Sequence, residues 1–384
     1  MNHFIPLSVP NLKGNELKYV TEAVATEWVS TGGPYVTEFE NKIAEYVNVK
    51  GAVACQNGTA GIHTALMTVG VKKDDIVIVP TLTFIAAVNP VKYIGATPVF
   101  MDCDDSLCID PKKLKEFCEV ECEFVDNELV FKSTKQKVKA LVVVHVFGNM
   151  TDMENILDIA KKYNLKVIED ATEAIGTYYT EGQLKGKYAG TMGDIGIYSF
   201  NGNKIITTGG GGMIVSNNEE YLKLAKHLTT QAKSDELNYI HDMIGYNYRM
   251  TNLQAALGLA QLEQLEKFIA AKNKNYDEYS LLLNDTQFKL LKFREGIRSN
   301  KWFYALECEN SDQRDKLIAY LLDEKIQTRP IWGLINEQKP YLDAYAYKIE
   351  KAKYYWERVV NIPCSTNITD EEIKAVVEQI KLFN

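Results

Sequence analysis

Between residues 50 and 216, short apolar runs rich in β-branched residues recur with longer amphipathic stretches between them. The runs 52–55, 76–79, 97–101, 140–144, 166–169, 194–198 and 212–215 are mostly continuous in hydrophobicity and do not alternate, the pattern of strands buried on both faces. Helical candidates such as 61–68 and 153–163 fill the intervals. This alternation predicts an α/β fold built on a mostly parallel, seven-stranded sheet. After Val215 the pattern lengthens. Residues 219–232 and 251–283 read as long helices, the second with Leu253, Ala256, Leu257 and Ala260 along one stripe. Residues 301–307 then read as a strand opening a smaller α+β unit. That unit ends on a helix started by Thr369-Asp370-Glu371-Glu372, whose hydroxyl and third carboxylate satisfy free amides at a helix start. The expected division is a large domain over 1–265, including an N-terminal arm, and a small domain over 266–384.

Composition narrows the possibilities. A hydrophobic content of 46% and a charged content of 24% exclude disordered and fibrous classes. The 384 residues carry a net charge of −8, which leaves no basic footprint for nucleic acid. The charge-free apolar run 76–91 is interrupted by Pro80 and Pro90 and falls short of the roughly 20 residues a spanning helix needs, so no membrane association is expected. The segment Met1–Pro6 has no basic stretch leading into a hydrophobic run, which predicts a cytoplasmic protein without a secretory signal. Seven irregularly spaced cysteines read as reduced thiols, and His3, His63, His145, His227 and His241 have no ligand-like spacing, so no metal is expected.

Three segments carry candidate chemistry. Lys204 is the one charge between Asp194 and Glu219 and is followed by Gly209-Gly210-Gly211-Gly212. A desolvated lysine supplies the neutral amine that attacks a carbonyl. A run of glycines persists where backbone must take unusual dihedrals or approach another group closely. Glu169 and Asp170 end the run 166–169, where ligands bind in open α/β sheets; neighbouring strand residues face opposite ways, so one of the two is structural. An acid there suits a protonated heterocyclic nitrogen. Gln56-Asn57-Gly58-Thr59-Ala60 joins a strand to a helix and presents amides of Thr59 and Ala60 at the positive end of the helix dipole, a phosphate site. Gly202-Asn203-Lys204 departs from Gly-x4-Gly-Lys-[Ser/Thr], which excludes a nucleoside-triphosphate loop.

A phosphate site, a strand-end acid and a lysine before a glycine run are together the parts of a pyridoxal phosphate (PLP) enzyme. The chain resembles the nucleotide-sugar aminotransferases of the DegT/DnrJ/EryC1/StrS family in the segments Trp28-Val29-Ser30-Thr31-Gly32-Gly33-Pro34, Asn57–Ala60, Pro80-Thr81-Leu82-Thr83-Phe84, Glu169-Asp170-Ala171, Ser199-Phe200 with Lys204, and Gly245-Tyr246-Asn247-Tyr248-Arg249-Met250. The resemblance implies the fold-type-I PLP transferase architecture. It implies that Lys204 forms the Schiff base and moves protons, that Asp170 pairs with the pyridine nitrogen, and that Phe84 stacks on the ring. Gly58, Thr59, Ala60 and Ser199 would hold the phosphate, Asn247 would reach it from the second subunit of a homodimer, and Glu173 would lie near the cofactor hydroxyl. Thr31 and Arg329 are the implied substrate contacts. Asn201 and Gly210 stand where many members have His and Glu. The string Ser-Phe-Asn-Gly-Asn-Lys is similar to the LegC-like branch, which implies amination from L-glutamate at the C4 keto group of a UDP-4-keto-6-deoxy-N-acetylhexosamine, as on routes to bacillosamine and legionaminic acid, with ping-pong kinetics. The alternatives are another nucleotide-linked keto sugar, such as the perosamine type, a PLP sugar 3-dehydratase, or a non-catalytic regulatory or binding protein on this fold. The 3-dehydratase has His at the position of Lys204, and a non-catalytic relative should have lost Lys204 or Asp170.

Overall fold

The computed structural model describes residues 3–383. Its main sheet is built from β1 (Gly51–Cys55), β2 (Ile76–Pro80), β3 (Thr97–Met101), β4 (Lys137–Val144), β5 (Lys166–Asp170), β6 (Ile195–Ser199) and β7 (Gly212–Ser216). They lie in the order β1-β7-β6-β5-β4-β2-β3. The neighbours from β6 through β3 pair in parallel, whereas β7 runs antiparallel to both β1 and β6. β2, β6 and β7 are buried along their whole length, as their uninterrupted apolar sequences require.

The strand sequence reverses direction between β2 and β4, so the connections leave the sheet on opposite sides there and open a crevice beyond its carboxyl edge. Thr83 and Phe84 follow β2 into that crevice, Val144 ends β4, and Asp170 ends β5.

Three short strands that the hydrophobic pattern does not single out extend the sheet. A hairpin of Cys122–Val125 and Glu128–Phe131 pairs onto β4, and Ala346–Tyr347 adds in parallel outside β3. The stretch 251–283 is two helices, Asn252–Leu262 and Leu265–Leu282, separated by a turn at Glu263 and Gln264. Strand 301–307 begins later than its pattern suggests, at Tyr304, because Lys301 has a positive φ of 46° and Trp302 and Phe303 are committed to the crevice. Tyr304–Glu307 lies in a four-stranded antiparallel sheet with Lys289–Leu290, Val359–Ile362 and Arg329–Pro330. The capping box at Thr369 and Glu372 forms as expected, and a second forms at Thr251 and Gln254. The N-terminal arm lies along the C-terminal part of the chain: Ile5 bridges Ile326, and Cys364 N–H donates to the Leu7 carbonyl at 2.8 Å.

All seven cysteines are free and buried. Among the described residues no helix is long and apolar enough to cross a membrane, and no three His, Cys, Asp or Glu side chains could hold a metal ion.

Candidate active site

The two acids at the end of β5 divide as strand geometry demands. Glu169 is fully buried and accepts Gly190 N–H at 2.8 Å, Met192 N–H at 2.6 Å and also Gly193 N–H. Its Oε2 also meets His145 Nε2 at 3.0 Å. Thr151 N–H donates to His145 Nδ1, so the ring proton sits on Nε2 and points at Glu169. With every lone pair engaged, Glu169 is a structural pin. Asp170 faces the other way, into the crevice. Its carboxylate accepts Thr172 N–H at 3.1 Å, and no side-chain cation reaches ion-pair distance among the described residues. Burial pushes its pKa above the ordinary carboxylate range, opposed by the Thr172 hydrogen bonds and by the more distant Lys204 cation.

Lys204 enters from the loop after β6. Its Nζ lies 3.4 Å from Glu173 Oε1 and 3.9 Å from the centre of the Trp302 ring. Glu173 is itself buried; Phe147 N–H donates to its other oxygen at 2.8 Å. Phe147 has φ of +56°, a conformation that costs a non-glycine residue energy and here aims an amide at the acid. Burial raises the Glu173 pKa, with Lys204 the largest opposing influence.

The helix Gly58–Thr68 starts where the crevice begins. Asn57 caps it by accepting Ala60 N–H at 2.8 Å, while Thr59 N–H has no acceptor among the described residues. Gly58 packs so tightly that a Cβ there would stand 3.0 Å from Thr172 Cγ2 and 3.1 Å from Ser199 Cβ. The glycine run explains itself in the same place: Gly209 and Gly211 have positive φ, and a Cβ on Gly212 would meet the Asn57 carbonyl carbon at 2.7 Å. These parts enclose a cavity of about 300 Å³, bordered by Gly58, Thr59, Phe84, Asp170, Ser199 and Lys204. Phe84 is 55% exposed, high for a large apolar ring, and lines the cavity. A wider groove of about 730 Å³, walled by charged groups such as Asp104, Glu154 and Arg294, touches none of the sequence-expected site residues. Gly58→Ala is expected to weaken binding of a phosphate-bearing cofactor roughly tenfold, because the methyl must displace Thr172 or Ser199. Equilibrium titration against the unaltered protein checks this.

Not every expected residue borders the cavity. The Ala60 amide is already taken by Asn57. The Thr31 carbonyl accepts from Arg249 Nε at 3.1 Å, and the exposed Arg329 lies on the edge of the small sheet. Asn247 is exposed on the segment that follows Leu237, Tyr239 and Ile244, three apolar side chains at least 74% exposed. Three residues absent from the sequence-based set, Trp302, Phe303 and Trp332, do wall the cavity. Trp302-Phe303 falls inside a run read as a strand, and only its density of aromatic residues hinted at anything more.

Known proteins resemble this chain along nearly its whole length. The chain is 38% identical to a GDP-perosamine synthase of Escherichia coli O157:H7, over 99% of its own length and 98% of that protein's. It is 31% identical to the UDP-4-amino-4,6-dideoxy-N-acetyl-beta-L-altrosamine transaminase of Campylobacter jejuni, covering 98% and 96% of the two chains. The fold matches the crystal structure of a DegT DnrJ EryC1 StrS aminotransferase from Brucella abortus with a TM-score of 0.87 at 28% identity, over 96% and 95% of the chains. The profile of one family covers residues 10–381, and the chain belongs to it: the DegT/DnrJ/EryC1/StrS aminotransferase family of PLP-dependent nucleotide-sugar enzymes.

Proposed function

We propose that this enzyme transfers an amino group from L-glutamate to the C4 carbonyl of a UDP-4-keto-6-deoxy-N-acetylhexosamine. The observation that carries the reading is the meeting, in one cavity, of the Lys204 amine with an acid that has no cation of its own. When bound, PLP supplies a carbonyl that accepts nitrogen covalently and a ring that draws off electrons. The residues present fit such a group. Phe84 brings an exposed aromatic ring to the cavity wall, and Gly58, Thr59 and Ser199 make a cradle that a single added methyl would close. Asp170 is an uncompensated buried acid suited to a protonated ring nitrogen.

In this reading Lys204 holds the carbonyl and carries protons at Nζ, Asp170 keeps a ring nitrogen protonated, and Glu173 keeps the lysine oriented. The Ala60 amide supports the phosphate indirectly, by fixing Asn57 and the helix start. Asn247 serves the site of a second copy in a homodimer, with Thr31 and Arg329 near the nucleotide. The exposed apolar side chains at 237–244 support such a pairing. The string Ser199–Lys204 supports a UDP-linked N-acetylated sugar, as does the altrosamine transaminase. The higher identity to GDP-perosamine synthase supports a second reading, in which the sugar is GDP-linked and lacks the acetamido group.

Assay of both 4-keto sugars with glutamate, with NMR of the amine product, separates the two. We expect kcat/KM for the UDP-linked sugar to exceed that for the GDP-linked one about 100-fold. The opposite ranking would move the assignment to the second reading, and turnover of neither would end both.

A further inference from the structure

Trp302 is fixed from four directions. Its backbone N–H donates to Asn300 Oδ1 at 3.0 Å, and its indole N–H donates to the Asn203 carbonyl at 2.8 Å, next to Lys204. Its ring lies against that of Phe303, 3.9 Å between centres and 8° from parallel. Its carbonyl accepts from Lys272 Nζ at 2.6 Å. Lys272 is 2% exposed and has no carboxylate partner among the described residues; it also donates to the Cys364 carbonyl, and burial lowers its pKa. A buried lysine spent on two carbonyls is costly unless the position of those carbonyls matters. What Trp302 presents from this fixed seat is its π face, 3.9 Å from Lys204 Nζ.

We infer that Trp302 is a resting platform for the free Lys204 amine, holding it as a cation together with Glu173 whenever it is not joined to a carbonyl, and that Lys272 is the positioning residue that seats the indole. The inference rests on Lys204 being the carbonyl-engaging residue. An ammonium over an indole is stabilised by the ring's negative face, more so in a partly desolvated site. When the ammonium condenses with an aldehyde, it first gives up one proton; the N=C bond then forms as the C=O bond breaks, and the oxygen departs as water with the nitrogen's two remaining protons. The nitrogen thereby ceases to be a free cation on that face. The platform therefore competes with the aldehyde form of the cofactor and leaves binding of the amine form, which makes no bond to the lysine, untouched. A wall residue with a purely structural role would move both affinities together.

The test is equilibrium titration of cofactor-free protein with pyridoxal phosphate and, separately, with pyridoxamine phosphate. In Trp302→Leu the ratio of the two dissociation constants, aldehyde over amine, is expected to fall about three- to tenfold, while Trp302→Phe keeps it within about twofold. Lys272→Met should move the ratio in the same direction as the leucine variant by a smaller factor. Trp302→Met, whose unbranched chain of similar volume adapts to an irregular space without a π face, gives the same readout if the leucine variant does not fold. A ratio unchanged or raised in the Leu and Met variants overturns the platform. Borohydride reduction of each pyridoxal phosphate complex, followed by peptide mapping, tells this failure from the deeper one. An adduct at Lys204 with an unmoved ratio removes the platform alone, whereas no adduct at Lys204 removes the platform and the lysine's assignment together.

Discussion

Lys204→Ala is expected to lose at least about 10⁴-fold in turnover while keeping its fold and much of its affinity for the amine form of the cofactor. Among the described residues the side chain makes one ion pair, to Glu173, and one ring contact, to Trp302, so little packing depends on it. Its loss leaves Glu173 without the cation that opposes the effect of burial, so that acid shifts further toward its protonated, uncharged form. The variant should melt within a few degrees of the unaltered protein. Lys204→Arg makes the control sharper, because it preserves a charge beside Glu173 yet cannot condense with a carbonyl. Both variants should give no borohydride-trapped lysine adduct. A Lys204→Ala protein that still formed one, and still transferred amine at more than a few per cent of the normal rate, would show that another amine does the chemistry.

How much of this was legible beforehand follows from where the information lies. The seven main strands could be read because most of their length is buried on both faces and therefore written in nearly unbroken apolar residues, as in 76–79 and 140–144. The split between Glu169 and Asp170 followed from the two-residue period of a strand, and the structure shows the consequence, one acid ringed by donors and one left open. Ala346–Tyr347 was out of reach: two residues carry no period, and they reach the sheet edge only by way of the distant β3. The break at 263–264 was hidden because both residues remain close to helical geometry while the hydrogen-bond ladder is interrupted. Asn57 shows a subtler limit. The helix start at Gly58 was expected to offer the Ala60 amide to a ligand, but a side-chain cap competes for that same donor, and nothing in the spacing says which acceptor wins. Trp302 escaped for the most basic reason. Its role depends on Asn203, Phe303, Lys204 and Lys272 converging on it, and three-dimensional convergence leaves no periodic trace in one chain.

Asp170→Asn should reduce turnover about 10³-fold, the order seen when one preorganised electrostatic contact to a reacting group is removed. The amide keeps the size of the carboxylate and can still accept Thr172 N–H, so the cavity keeps its shape. What disappears is the negative charge that would hold a ring nitrogen protonated. A second effect has the opposite sign and separates this role from simple damage. Burial raises the folded-state pKa of Asp170 above its unfolded value. An acid shifted that way binds more protons folded than unfolded between the two pKa values. Its favourable contribution is complete below the unfolded pKa and is lost as pH rises through the folded one. Cofactor-free Asp170→Asn should therefore melt at or above the temperature of the unaltered protein near neutral pH, with the advantage shrinking as pH falls toward 4. Glu173 is shifted upward too, in part by the Asp170 charge itself, so its shift is smaller in the variant and adds to the advantage in the same direction. Adding PLP should reverse the order, because the cationic ring supplies the partner that the buried acid lacks and stabilises the unaltered protein more. Calorimetric scans at several pH values, with and without PLP, check all three statements. A variant that turned over at the normal rate would remove Asp170 from the chemistry, and one that melted lower at every pH would make it a structural acid like its neighbour Glu169.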